Sequence, residues 1–304
     1  MPDWDAEVVI DEALVRALLA EQFPELDAAS ARLLGEGWDN AVWVVEGTWA
    51  FRFPRRQIAI PGVRRELAVL PRLGPLVQVP IPVPVFVGQQ SERFPWPFFG
   101  TRLLPGDEVA EAELDDEARV TLGLELARFL RELHTPDMRG RVDPDDALPV
   151  DPLGRADMDK RVPMARKYLG ELESTGAWTL DPSAERVLGH ASHLAPRERV
   201  FVHGDLHLRH VLVEKGSLTG VIDWGDCCTG DPSIDLHVAW SMLPPAGRDA
   251  FFEEYGAVDE DIESRARVLA VGLCSMLAIY AHSVGNANLL RESVAGLERT
   301  LVDA

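Results

Sequence analysis

His203, Asp205, His207 and His210 fall within eight residues, and Asp223 and Asp226 follow them closely. The segment reads HGDLHLRHVLVEKGSLTGVIDWGD. Two chemistries use such residues. Imidazoles and carboxylates at short spacing hold zinc and similar ions, so the H-x-D-x-H run makes these four residues candidate ligands of a metallohydrolase. On a strand, however, the first three would share one face and His210 would lie off it. That reading also gives Asp223 no task. The second chemistry is phosphoryl transfer. There a loop aspartate accepts the proton of an attacking hydroxyl, and a side chain five residues later and an aspartate ending the next hairpin hold metal. Asp205, His210 and, thirteen residues on, Asp223 have that spacing.

These residues need elements to position them. Near the N-terminus, Gly35-Glu36-Gly37-Trp38-Asp39-Asn40 precedes AVWVV (Ala41–Val45) and TWAFRF (Thr48–Phe53), two strand patterns joined by Glu46-Gly47. This predicts a hairpin preceded by a turn in which Gly35 and Gly37 let backbone N–H groups approach an anion. Arg52 alternates with Phe51 and Phe53 and so faces away from both. The predicted helix Pro61–Leu73 carries Glu66, placed to pair with Arg52. Glycine turn, hairpin, basic residue and helical glutamate follow one another as in the nucleotide lobe of a kinase. The basic residue here is an arginine, since no lysine precedes Lys160.

Further elements follow from periodicity and breakers. Asp11–Phe23 reads as a helix and the proline-rich Leu76–Gly88 as extended edge structure. Trp96–Asp107 reads as a strand broken at Pro105-Gly106, with a lobe boundary there. Beyond it, a helix capped by Asp115 or Asp116 is expected, then a polar loop over 136–153. Helices are expected over 155–173, 182–193, 233–243, 246–255 and 260–299, the last interrupted near Gly285. Short strands are expected over 200–202, 211–213 and 218–222.

The residues quoted above resemble the aminoglycoside phosphotransferase family, kinase-like enzymes that phosphorylate small molecules and include macrolide 2'-phosphotransferases. HGDLHLRH, VIDWGD and GDPSIDL (Gly230–Leu236) match that family's run, and FRFPRR and LLPGD are similar to it. The resemblance implies an α+β, two-lobed protein-kinase-like fold, with a β-rich nucleotide lobe over 1–103 and a mainly helical lobe over 104–304. Nucleotide would lie between the lobes. It implies Asp205 as catalytic base and Asp223 as a ligand of magnesium or manganese, with His210 at the second metal position. Arg52 and Glu66 would form the phosphate-side pair, Gly100 and Arg102 would lie at the base of ATP or GTP, and His203 and Asp235 would support the loop. Most family members have Asn where His210 stands. That departure leaves open a nucleotide-binding pseudokinase beside the metallohydrolase, and it is shared with macrolide phosphotransferases.

Composition bounds the partners. The 304-residue chain has a formal net charge of −20, which argues against nucleic acid. The excess lies mostly in residues 105–304, with 37 acidic and 20 basic side chains against 13 and 10 before them. The expected acceptor is therefore a small cationic hydroxylated molecule. The apolar run Leu269–Tyr280 is too short to span a bilayer, so no membrane partner is expected. The acidic N-terminus does not resemble a secretory signal, and Cys227, Cys228 and Cys274 have no metal-type spacing. A reducing cytoplasm is the expected compartment.

Overall fold

The computed structural model describes residues 6–37, 39–193, 195–196 and 199–302. Trp38 of the glycine turn and the first five residues lie outside the described residues. The chain forms two compact units: Met1–Leu76 with Pro80–Leu104 and Ile222–Asp226, and Val77–Val79 with Pro105–Val221 and Cys227–Ala304.

The first unit is built on one antiparallel sheet. Helix α1 (Glu12–Gln22) begins where the Asp11 carboxylate accepts from the Leu14 N–H at 2.8 Å, and it buries Val15, Leu18 and Leu19. Strands β1 (Arg32–Glu36), β2 (Asn40–Val45) and β3 (Trp49–Pro54) precede helix α2 (Ile60–Leu73); β4 (Pro84–Gly88) and β5 (Phe98–Arg102) follow it. The strand order is β1-β2-β3-β5-β4. The β2–β3 turn has Glu46 and Gly47 at positive φ. One face of the sheet carries a phenylalanine core in which Phe53 stacks on Phe98 with ring centroids 4.7 Å apart. The proline-rich segment does supply an edge strand, β4. Strand β1 was not expected. All five of its residues are exposed, so it lacks the alternation that reveals a strand.

The second unit is mainly helical. It contains the short β6 (Asp107–Glu108), then α3 (Asp116–Leu133), α4 (Pro136–Val142), α5 (Met158–Thr175) and α6 (Pro182–Gly189). Strands β7 (Val200–Val202), β8 (Val211–Glu214), β9 (Ser217–Val221) and β10 (Cys228–Gly230) come next. Helices α7 (Ser233–Leu236), α8 (Val238–Ser241), α9 (Pro245–Tyr255), α10 (Glu260–Val284) and α11 (Ala287–Leu301) close the chain. Helix α4 falls within the expected polar loop. Thr135 caps it and Pro136 occupies its first turn, which suffices for a helix of two turns. Gly285 ends α10 in the left-handed region, where the sequence placed the interruption. Helix α10 is long and apolar enough to cross a bilayer by length and composition. Yet Val268, Val271, Cys274 and Ala278 pack into a core shared with α5, α6 and α11, as in a core helix. The β-rich first unit and helical second unit make the α+β architecture expected of the sequence.

Candidate active site

In the first unit, Arg52 is the hub. It projects from β3 opposite Phe51 and Phe53, both fully buried. Its Nη1 donates to Glu66 Oε1 at 2.9 Å and its Nη2 to Asp223 Oδ1 at 2.7 Å. Glu66 Oε1 also accepts from the Trp224 N–H at 3.1 Å. Burial raises the Glu66 carboxyl to about 7 against the opposing pull of Arg52. Burial would lower the Arg52 guanidinium, but Asp223 and Glu66 outweigh it and hold it charged. The segment carrying Asp223 is fastened to α2. Arg65 donates to the Gly225 carbonyl, and a Cβ on Gly62 would come within 3.2 Å of that oxygen. Asp223 has φ 64, so a strained backbone aims its carboxylate.

The other residues expected on the nucleotide side divide. A Cβ on Gly35 would meet nothing within 4 Å, and one on Gly37 only the Asn40 carbonyl at 3.7 Å. Packing therefore does not require glycine at either position. At Gly100 it does, because a Cβ there would fall 2.6 Å from the Phe51 ring. Arg102 is exposed at the end of β5 and lies over the Trp49 ring at 5.6 Å.

In the second unit, β7 leads into an irregular loop rather than the strand that the metallohydrolase argument considered. Asp235 holds this loop. Its carboxylate accepts from the N–H groups of His203 at 2.7 Å and Gly204 at 3.0 Å. Gly204 has φ 90, which glycine adopts freely. Burial would raise the Asp235 carboxyl, but its bond with His134 and the histidines around it hold it below the ordinary range. His134 follows α3; its Nε2 lies 3.2 Å from Asp235 and its Nδ1 2.9 Å from the Tyr255 hydroxyl. A carboxylate only accepts, so Nε2 carries a proton, and in the neutral ring Nδ1 accepts from tyrosine. Asp235 lies inside α7. Just before that helix, Asp231 accepts from the Ser233 N–H at 3.0 Å and pairs with Arg265 at 2.8 Å.

Asp205 is about 30% exposed and ion-paired to Arg155 at 2.7 Å. Burial alone would raise its carboxyl; Arg155, then His210 and His203, outweigh burial and keep it below the ordinary range. A base must be deprotonated to act, and this one is. The stretch with Arg155 is fixed by Asp151, which accepts from the N–H groups of Arg155 at 2.7 Å and Ala156 at 2.9 Å. Arg155, His134 and Tyr255 were not anticipated. Arg155 sits in a polar stretch with no motif, and the other two reach the loop only through the packing of α3 and α9.

Asp205, His207 and His210 bring ligand atoms within 4.8 Å of one another. Their hydrogen bonds divide the tasks. His210 Nδ1 lies 2.7 Å from the Asp205 carbonyl and must donate to it, so in the neutral ring Nε2 is the lone-pair nitrogen. His207 Nδ1 accepts from the Arg209 N–H at 3.2 Å, which puts its proton on Nε2, 3.7 Å from Asp205. His207 therefore directs a donor, not a lone pair, at the cluster, and it stacks on His210 at 3.8 Å. His203 Nδ1 accepts from the Asp205 N–H at 3.2 Å. Among the described residues the cluster within reach of one ion is Asp205, His207 and His210, not a four-ligand zinc site. As donor groups, the Asp223 carboxylate of the first unit is a hard oxygen and His210 of the second unit is an imidazole nitrogen. The first suits magnesium and the second ions such as manganese.

The three cysteines are buried and form no disulfide among the described residues, and burial pushes the Cys228 and Cys274 thiols up to about 12. Neither is a nucleophile at neutral pH.

Residues 30–269 match the model of a family described as the phosphotransferase enzyme family. Among solved structures, the chain is similar to the GDP complex of wild-type aminoglycoside 2'-phosphotransferase-IIIa. Identity is 23% over 97% of this chain and 99% of that one, with a TM-score of 0.69. The GDP and kanamycin complex of APH(2")-IIIa matches at 26% identity over 93% and 97%, TM-score 0.65. The apoenzyme of macrolide 2'-phosphotransferase MphH from Brachybacterium faecium matches at 22% over 94% and 98%, TM-score 0.62. These likenesses extend over nearly the whole chain and support the kinase-like fold. With the family match over most of its length, the chain belongs to the phosphotransferase enzyme family and is a phosphotransferase that uses an alcohol group as acceptor.

Proposed function

We propose that the protein transfers the γ-phosphoryl group of ATP or GTP to a hydroxyl of a small molecule, with Asp205 as the base. The observation that carries this reading is the Asp205 loop. Its backbone is fixed by Asp235, its carboxylate is kept ionised by Arg155, and part of that carboxylate is exposed to an incoming hydroxyl. Asp205 accepts the hydroxyl proton as the oxygen attacks phosphorus. Arg52, steadied by Glu66, neutralises phosphate charge. Asp223 and His210 would hold divalent ions, magnesium or manganese, which supply further charge neutralisation when bound. Gly35 and Gly37 would admit phosphate oxygens to backbone N–H groups, and the β5 backbone at Gly100 would face the nucleotide base. His203 and Asp235 keep the loop in shape. The neighbours named above include aminoglycoside and macrolide phosphotransferases, which supports an antibiotic-like acceptor. The protein would act in the cytoplasm, where nucleoside triphosphates are available.

The test is transfer of label from γ-labelled ATP and GTP to a panel of hydroxylated acceptors, with and without EDTA. The reading requires label on an acceptor hydroxyl and loss of transfer with EDTA. Nucleotide binding without transfer would support a pseudokinase, and metal-dependent hydrolysis without nucleotide a metallohydrolase.

A further inference from the structure

Beside Asp205 the second unit forms an open cavity of about 140 Å³. Helices α5 and α10 supply its apolar wall, including Met164, Val268, Leu269, Leu273 and Met276. The charged groups on its lining are Arg155, Arg161 and Asp205, a formal sum of +2 − 1 = +1. His237 also lines it and is neutral, since burial pushes its imidazole down to about 4. This is the reverse of the acidic character of residues 105–304. On this lining Asp205 is the one carboxylate among the described residues. His237 is 3% exposed, and its Nδ1 has no hydrogen-bond partner among the described residues.

We propose that the acceptor is an apolar hydroxylated molecule with no positive charge beside its reacting hydroxyl, its hydrocarbon body against Met164, Leu269 and Met276 and its neutral or anionic substituents toward Arg155 and Arg161. This rests on the phosphotransferase reading and narrows its substrate class. An ammonium group entering the cavity meets two guanidinium groups and apolar walls, so it loses hydration without gaining a carboxylate beyond Asp205. Asp205 is itself already paired to Arg155. Arg161 donates to the carbonyls of Leu153 at 2.7 Å and Gly154 at 3.0 Å, which fixes its charge in the wall.

The experiment compares acceptors matched in hydroxyl number, using the full chain with ATP and magnesium. One set is amine-free: alkyl glycosides, hydroxylated macrocyclic lactones and hydroxylated fatty acids. The other is cationic: an alkyl 2-aminoglucoside, its uncharged N-acetyl derivative as control, and a polyamine aminocyclitol such as kanamycin. The expected result is kcat/KM about tenfold or more higher for the amine-free set, with N-acetylation restoring the alkyl aminoglucoside. Met276→Glu, at a half-buried wall position, and Arg161→Gln should each narrow that gap by raising the cationic values. Two variants guard against one that fails to fold. Equal or better turnover of polyamines by the wild type would overturn the proposal, as would a gap unchanged in both variants. Transfer to polyamines alone leaves the phosphotransferase reading standing and sinks this one. Absence of transfer to either set contradicts both.

Discussion

At Asp205 the opposing effects are burial, which favours the neutral acid, and a guanidinium at 2.7 Å, which favours the ion. The ion wins, and a carboxylate held below its ordinary range stays a base at neutral pH. Arg155 contributes to that outcome without being placed to receive a proton, so it is a positioning residue. Arg155→Gln should move the acid limb of kcat toward higher pH, because Asp205 then loses the partner that depresses it. An unmoved limb would mean that the two histidines suffice. Arg52 poses a different contest, since Glu66 and Asp223 both claim it. Arg52→Ala should let the buried Glu66 carboxyl go neutral and leave its hydrogen bond unmade, costing about 1–3 kcal/mol of stability as well as nucleotide affinity. Thermal denaturation and nucleotide titration measure the two losses. His210→Asn should keep substantial magnesium-supported activity, whereas His210→Ala should need more metal for half-saturation. Activity of His210→Ala equal to wild type at every metal concentration would make His210 a packing residue.

Elements decide which of these residues meet. The motif residues His203, Asp205, His210, Asp223 and Asp235 were legible because their spacing lies within one stretch of chain. The partners that fix them were not. His134 arrives from the end of α3 and Tyr255 from the end of α9, and nothing in either local sequence announces a shared target. Strand β1 was hidden by its uniform exposure, and α4 by a composition that also suits a loop. At Gly100, expected at the nucleotide base, the Phe51 ring also leaves no room for a side chain. Asp235 gives an element-scale prediction. Its carboxyl is held below its ordinary value of 3.8, so the unfolded chain binds more protons near that pH. Its stabilising effect is present above the ordinary aspartate range and lost as pH falls through the lower folded value. Asp235→Asn should flatten this acid dependence, and Asp235→Ala should cost about 3–5 kcal/mol, because a buried carboxylate serves two loop N–H groups and His134. Urea unfolding at a series of pH values would show both.

For the whole molecule, the uneven charge and the cavity lining separate two roles that composition alone had merged. The acidic surplus of the second unit is a surface property, while the lining beside Asp205 carries a net positive sum. Acceptor KM should therefore change little between roughly 50 and 500 mM salt, since no long-range attraction of a cation is being screened. A steep rise would return the acidic surface to a part in capture. Nucleotide with magnesium at about 100 times its Kd should stabilise the fold by about 2.7 kcal/mol, and EDTA should remove most of that gain. The claim on which all this rests is that Asp205 takes the acceptor proton. The most direct measurement is turnover of Asp205→Asn, with nucleotide affinity determined on the same sample. Affinity close to wild type is expected, with turnover lower by about 10²–10⁴-fold. Turnover within about threefold of wild type, with affinity intact, would contradict it, being far short of what losing a general base costs.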